Sequence, residues 1–394
     1  TSVLSVPLKN HENDIVGVMQ LINATDKESG KVIGFSDDMQ EQVESLASQG
    51  AVALTNKRLV KELKTLFESF IQLIATAIDR KSEYTGGHCE RVPEITMMLA
   101  EAVEGMTEGS YKDFVMTEDE RYELYIAAWL HDCGKVATPV HVVDKATKLE
   151  TIYDRVENVQ TRFEILKRDA EIEFLNTKIE LLESGNEEGV KDAEAKLNLQ
   201  LAQFSDELAF VEKSNVGGEF MQEEDQNRIR QIGEYEWNYK GETKPFLSEL
   251  EVRNLTIAKG TLLPEEREII NDHIVITIDM LEKLPYPKNL RNVPEFAGGH
   301  HETLDGKGYP KGLTGDQMSV QAKMMAIADI YEALTASDRP YKDGKKLSHA
   351  MRILGFMKND YHIDEELFEI FVKEGVYKKY AEKYLPENQM DEID

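Results

Sequence analysis

Apolar residues cluster in Val3-Leu4-Ser5-Val6-Pro7-Leu8 and again in Ile15-Val16-Gly17-Val18-Met19-Gln20-Leu21-Ile22. Both runs are rich in β-branched and aliphatic side chains, and Asn10-His11-Glu12-Asn13-Asp14 between them is turn chemistry. Residues 1–35 are therefore predicted to form strands. Ser36-Asp37-Asp38 reads as a helix N-terminus, and the helical pattern it opens is predicted to run to about Arg80. Inside that helix Val52, Asn56, Leu59, Leu63, Leu66, Phe70, Leu73 and Ala77 are spaced alternately by four and three, which is a heptad seam. One buried face of an ordinary helix gives the same spacing. The favoured reading is a parallel dimer helix joining two domains, with Asn56 setting the register. The seam begins directly after the strand-rich segment and leads straight into the chemistry.

Residues 88–149 and 264–385 read as helices joined by short loops. Between them Ile152, Val156, Val159, Phe163, Leu166, Ala170 and Phe174 keep the 4-3 spacing. Val190, Ala193, Leu197, Leu201, Phe204, Leu208 and Val211 keep it with one slip, and Ser184-Gly185-Asn186-Glu187-Glu188-Gly189 is the turn between the two runs. A helical hairpin is predicted, each arm roughly 35–50 Å long at 1.5 Å per residue. Gly217-Gly218 breaks it, and a shorter segment with Trp237, Tyr239, Pro245 and Phe246 returns the chain to the main domain. A solvated hairpin explains residues 152–211, and a docking arm for a protein partner or a second subunit is the alternative.

Composition narrows the function. Across 394 residues, 46 Lys and Arg face 74 Asp and Glu, a formal charge of −28, and 41% of residues are hydrophobic. Phosphate backbones demand a basic face, so a general binder of DNA or RNA duplexes is excluded. An anionic substrate would need a strong local positive centre. Residues 150–263 hold about 25 acids and 14 bases, so the inserted block carries a large share of the negative charge. Two cysteines, Cys89 and Cys133, exclude a disulfide scaffold and fit a reducing cytoplasm. No apolar run approaches a membrane span. The chain opens at Thr1 without a Met, so an upstream region is expected in the native protein, and no secretion signal is visible.

The histidines gather beside carboxylates. His131-Asp132 precedes Cys133-Gly134-Lys135, and His300-His301-Glu302 precedes Asp305-Gly306-Lys307-Gly308-Tyr309-Pro310. His88 closes a Tyr84-Thr85-Gly86-Gly87 loop, His273 ends Ile269-Ile270-Asn271-Asp272-His273, and Asp329 ends Ala326-Ile327-Ala328-Asp329. Imidazole and carboxylate are ligands for Zn, Fe, Mn or Ni, and a carboxylate bridges two ions. Any one of these histidines is unremarkable; five of them, with a His-Asp and a His-His doublet among them, are not. Cys89 and Cys133 read as small buried residues. His11, His141, His349 and His362 take no role.

On these residues the chain resembles the HD phosphohydrolase superfamily, through His131-Asp132 with the later Asp329. His300-His301-Glu302 and Gly308-Tyr309-Pro310 resemble its HD-GYP branch, whose members hydrolyse cyclic di-GMP. The likeness covers about residues 80–149 and 264–385. The strand-rich start, with Gly34-Phe35-Ser36 and Leu46-Ala47-Ser48-Gln49, resembles the last part of a GAF sensory domain. The implied fold is mainly α: an all-helical HD-type hydrolase domain (81–149 and 264–394) interrupted by the hairpin and return segment (150–263). A partial α/β GAF-like domain (1–50) and a coiled-coil linker helix (51–80) precede it.

The resemblance implies two metal sites. His88, His131, Asp132 and Asp329 would hold one ion, and Asp132 would bridge to a second held by His273, His300 and His301. Fe or Mn suits the mixed ligand set. Some HD-GYP proteins hold a third ion on a Glu four residues before the first His; Tyr84 stands at that position here, with Glu83 one step away as the candidate. A metal-bridging hydroxide would attack phosphorus in line with the departing 3′ oxygen. Lys135 would polarise a phosphate oxygen, and Arg339 and Lys342 resemble the family's phosphate-binding residues. Tyr309 would line the substrate site against a guanine, while Glu302 and Asp305 would orient His300-His301 or the loop rather than bind metal. The expected function is hydrolysis of cyclic di-GMP to pGpG, and onward to GMP, in the cytoplasm under control of the sensory domain. The alternatives are a low-turnover cyclic di-GMP receptor and an HD hydrolase of another cyclic dinucleotide.

Overall fold

A computed structural model describes residues 1–81, 87–218, 220–337 and 344–392. The chain divides into two compact units, residues 1–73 and 74–394. In the first, strands β1 (Val3–Lys9) and β2 (Ile15–Ile22) pair antiparallel, with Leu8 opposite Gly17, where the sequence places them. Alternation along β1 buries Val6 and Leu8 while Ser5, Pro7 and Lys9 face solvent. The two buried side chains pack on Val43, Ala47 and Ala51 of helix α1 (Asp37–Lys81), whose small alanines let the sheet come close. Ser36 accepts from the Met39 amide at 3.3 Å and caps the helix. Helix α1 runs unbroken for 45 residues, through the boundary expected at residues 50 and 51. Its heptad seam is bare: Val52, Leu59, Leu63, Leu66, Phe70 and Leu73 are all exposed.

The second unit is helical. Helices α2 (His88–Glu104) and α3 (Glu118–Leu130) are followed by a one-turn 3₁₀ helix (Cys133–Val136) and the short α4 (Val140–Val143). The chain then leaves on α5 (Val156–Glu183) and returns on α6 (Glu187–Asn215), the predicted hairpin. Helix α7 (Glu223–Gly233), strands β3 (Glu236–Tyr239) and β4 (Glu242–Pro245), and α8 (Glu249–Leu255) lead back to α9 (Pro264–Asn271) and α10 (His273–Glu282). Helices α11 (Val293–Gly298), α12 (Val320–Thr335), α13 (Leu347–Asn359), α14 (Glu365–Lys373) and α15 (Val376–Tyr384) complete it. The mainly α class expected from the sequence is observed.

Helix α2 packs between α3 and α12, and α10 packs against α11 and the 3₁₀ turn. Ile95, Leu99, Leu124, Ile126 and Tyr331 are fully buried in this layer. Thr117 and Glu120 form a reciprocal capping box that starts α3. The hairpin has its own core at its foot, where Phe163, Leu166, Phe204 and Val211 meet Ile229, Phe246 and Leu255 of the return segment. The Phe163 and Phe246 rings lie 4.6 Å apart, edge to face. Arg162 clamps Glu251 with two bonds of 3.0 and 2.6 Å, which holds Glu251 below the usual carboxylate range against the opposing effect of burial. Ile152, which fits the hairpin's periodicity, lies before the helix and is 96% exposed; α5 begins at Val156. Among the described residues no helix is long and apolar enough to cross a membrane.

Candidate metal centre

Five helix starts and ends, with one position inside α12, converge to build the site. His131 caps the C-terminus of α3, and Asp132 caps the N-terminus of the 3₁₀ turn. His88 and His273 open α2 and α10; His300 follows α11; Asp329 lies within α12. His131, His273 and His300 share one local device. Each Nδ1 donates to the carbonyl three residues back, Ala128 at 2.7 Å, Ile270, and Ala297 at 2.6 Å. Helix C-termini leave such carbonyls free. A carbonyl only accepts, so a hydrogen sits on each Nδ1 and each Nε2 faces inward.

The seven residues that the resemblance implies as ligands come together. His88, His131 and Asp329 form one group, His273, His300 and His301 a second, and His131, Asp132 and His300 a third, the ligand atoms in each lying within 4.8 Å of one another. Asp132 stands between the first two. Its Oδ2 is 3.3 Å from Nε2 of both His88 and His131, and its Oδ1 is 3.2 Å from Nε2 of His273. Nε2 of His88 is 3.2 Å from Asp329. All but Asp329 and His301 are at most 6% exposed.

Burial and charge set opposing demands here. Burial drives His301 down to about 4 and His300 well below its ordinary value, so both are neutral at pH 7 with lone pairs available. Burial also opposes charge on His131, but the adjacent Asp132 outweighs it and lifts His131 to about 9. Asp132 and Asp329 are held well below the carboxylate range despite burial, Asp132 by Lys135 and His131, Asp329 by His131 and His88. Three buried atoms, Asp132 Oδ1, His273 Nε2 and His300 Nε2, have no hydrogen-bond partner. The 3.2 Å approach between the first two lacks hydrogen-bond geometry. Orphaned buried acceptors aimed at one point are costly, and a cation satisfies all of them at once. The donor set of imidazoles and carboxylates therefore fits a divalent transition metal.

Around the ligands, Lys135 donates to Asp132 Oδ2 at 2.6 Å from a largely buried position. Gly134 lets the 3₁₀ turn lie against α10: a Cβ there would fall 1.9 Å from the His273 carbonyl oxygen. The Tyr309 ring stacks on His301 at 4.8 Å, and burial lifts its phenol to about 12. Glu302, 1% exposed, accepts from the Lys311 and Leu313 amides at 2.7 and 2.9 Å, and so ties the loop that carries Tyr309. Asp305 bonds Thr303 and Lys307 within the same loop. Cys89 and Cys133 are buried thiols. Glu83, Arg339 and Lys342 lie outside the described residues.

Three supports escaped the sequence. Glu332, fully buried, receives His88 Nδ1 and an Arg91 guanidinium at 2.6 Å. It lies one turn after Asp329 on α12, so spacing of three on one helix face was the available signal. Asp79 accepts from the Cys89 amide, beside His88, at 3.2 Å. Lys81, at the end of α1, donates to the carbonyls of Lys135, Val136 and Thr138, the first and last at 3.0 and 2.7 Å.

Known proteins share these segments. HD domain family profiles match residues 85–210 and 250–367, the first running on through most of the hairpin. A cyclic di-GMP phosphodiesterase of Pseudomonas aeruginosa is 46% identical over 79 residues, 20% of this chain and 18% of that protein. 3′3′-cGAMP-specific phosphodiesterase 1 of Vibrio cholerae is 40% identical over 81 residues, 21% of this chain and 19% of that protein. A cyclic di-GMP phosphodiesterase of Thermotoga maritima is 33% identical over 137 residues, 35% of this chain and 36% of that protein. The matched stretches span about a fifth to a third of these relatives. Residues 85–210 and 250–367 are thus HD-domain sequence, with His131-Asp132 at the junction of the two histidine–carboxylate clusters.

Proposed function

We propose that the protein is a metal-dependent phosphodiesterase that opens cyclic di-GMP to pGpG and continues to GMP. The observation that carries this reading is Asp132, whose two oxygens face two different histidine groups. His88, His131 and Asp329 would complete one metal site, and His273, His300 and His301 the other. Iron or manganese is the proposed occupant of both. Two such ions, when bound, supply Lewis acidity towards a phosphoryl oxygen and activate a water at neutral pH. Glu83 is the candidate for a third ion.

The chain's own groups then divide the work. Lys135 fixes Asp132 and offers its charge to a phosphoryl oxygen, while the buried Nδ1–carbonyl bonds keep His131, His273 and His300 aimed without reorganisation. Tyr309 forms a wall against which a guanine packs, and Arg339 and Lys342 are proposed phosphate contacts. Inactive relatives of such enzymes lose ligand residues; all seven are kept here, which favours turnover over a receptor role. Purified, metal-supplemented protein is expected to release pGpG, and Asp132→Ala to abolish release. Unchanged release by that variant would refute the mechanism. Relatives named as 3′3′-cGAMP-specific favour one second reading, cleavage of a mixed cyclic dinucleotide, and both substrates belong in the same assay.

Control through dimer geometry is part of the proposal. Six large apolar side chains exposed along one heptad seam of α1 favour a parallel two-stranded coil with Asn56 in the interface. Residues 1–50 are proposed as the end of a GAF-like sensory domain, and the hairpin as a docking arm for a protein partner. Leu63→Asp with Leu66→Asp is expected to give monomers; a wild-type chain that sediments as a monomer would overturn the dimer.

A further inference from the structure

Helix α5 is apolar on two opposite faces, and the hairpin core accounts for only one of them. Val159, Phe163, Leu166 and Ala170 face inward and are buried. From residue 172 a second stripe runs along the other side: Ile172, Leu175, Ile179 and Leu182, spaced by three, four and three. At 3.6 residues per turn these four fall within an arc of about 80°, directed away from the inner face. Each is 53–56% exposed, so the chain itself leaves the stripe bare. A contiguous apolar stripe with polar edges marks an interaction surface.

Residue type and edge charge specify what covers it. Written as a heptad, Ile172 and Ile179 take position a, and Leu175 and Leu182 take d, the combination that favours a parallel pair of helices. Glu171 and Lys178 stand at g, and Asn176 and Glu183 at e. In a parallel pair each g residue faces the next e residue of the partner helix. Lys178 of each copy then meets Glu183 of the other, and Glu171 meets the neutral Asn176. Within one chain, Lys178 and Glu183 form no ion pair among the described residues. An antiparallel pair centred on the stripe would instead set Lys178 against its own copy and Glu183 against Asp169, both repulsive. Arg168, at the next d position towards the foot of the hairpin, ends the seam.

We propose that the outer face of α5 is a self-association seam, on which a second copy of this chain lays the same stripe in parallel. The inference rests on the docking-arm reading of the hairpin and names its partner; it is independent of the phosphodiesterase reading. The pairing is isologous, each copy giving and receiving the same contacts. Four layers span only about 15 Å, too little to hold copies together in dilute solution. The pair is therefore weak and reversible, and covalent trapping reads it directly.

The test uses the full chain carrying Leu175→Cys in a glutathione redox buffer. A parallel seam sets each d residue against its own copy within disulfide reach, whereas an antiparallel one sets Leu175 against Ile179. Wild type controls for Cys89 and Cys133, which are buried. Disulfide dimers of Leu175→Cys are expected to form about tenfold faster than those of Glu180→Cys, which is exposed on the flank of α5. Adding Lys178→Glu to Leu175→Cys should slow the reaction by about threefold, and adding Glu183→Lys as well should restore it. Equal rates for Leu175→Cys and Glu180→Cys, or a charge swap that stays slow, would overturn the second copy as partner. In that event, a protein retained from lysate by the wild-type chain and lost with Ile172→Glu and Ile179→Glu would keep the docking arm. Retention of none would overturn the arm as well.

Discussion

Gly134→Ala places a single methyl group where two ligand-bearing segments touch. The added Cβ would lie 1.9 Å from the His273 carbonyl oxygen, 2.6 Å from the Thr277 nitrogen and 2.8 Å from Thr277 Oγ1. The first two contacts are backbone, so no side-chain rotation relieves them. Real Cβ contacts essentially never fall under 3.0 Å, so the 3₁₀ turn and the first turn of α10 must separate by roughly 1 Å. His273 opens α10, and Asp132 caps the turn. Metal–ligand distances tolerate deviations of about 0.2 Å, so the same movement would pull His273 and Asp132 out of reach of the ion proposed between them. Overpacking of this kind costs about 1–3 kcal/mol of stability, and a misplacement near 1 Å costs on the order of 100-fold in rate. The assay pairs elemental analysis of reconstituted protein with urea unfolding. The variant is expected to stay folded, with a lower midpoint, and to retain about one ion fewer per chain than wild type. Wild-type metal content together with wild-type turnover would refute the packing argument.

Other expectations follow from supports around the site. Glu332→Gln removes the charge that faces His88 and Arg91; metal affinity should drop by about 10–100-fold, and an unchanged titration would contradict that role. Lys81→Met strips three carbonyls of their donor; amide exchange across residues 134–138 should quicken and stability fall by about 1–3 kcal/mol. Lys148, 3% exposed, donates to the Leu255 and Ile257 carbonyls at 3.0 and 2.8 Å, and burial pulls its ammonium down to about 8. Between pH 8 and about 10.5 the unfolded chain holds the proton that the folded chain has lost, so stability gains up to about 3 kcal/mol from this group as pH rises. Wild type should therefore gain on Lys148→Met across that window in chemical denaturation, and a constant difference would count against a buried ammonium.

What the sequence disclosed was local. Strands β1 and β2 announce themselves through β-branched runs around a polar turn, α1 through Ser36 and its heptads, and the hairpin through Gly185-Asn186 between two periodic arms. His131-Asp132 and His300-His301 are doublets that composition alone makes unusual. Long-range partners were hidden, because nothing near His88 announces Glu332, 244 residues away. Strands β3 and β4, four residues each, were read only as a return segment. Their signal is Lys240-Gly241, both at positive φ in a tight turn. Ile152 shows the opposite error: periodicity placed it in the hairpin, and Val156 is where α5 begins.

The central claim is that Asp132 joins two ions into one hydrolytic centre. Its most direct test is the initial rate of pGpG formation as a function of metal bound per chain, titrated anaerobically into metal-free protein. The account predicts a rate near zero at one ion and full activity only as the second site fills, with Asp132→Asn inactive at every loading. Full activity at a single ion per chain, or a rate indifferent to metal, would contradict it.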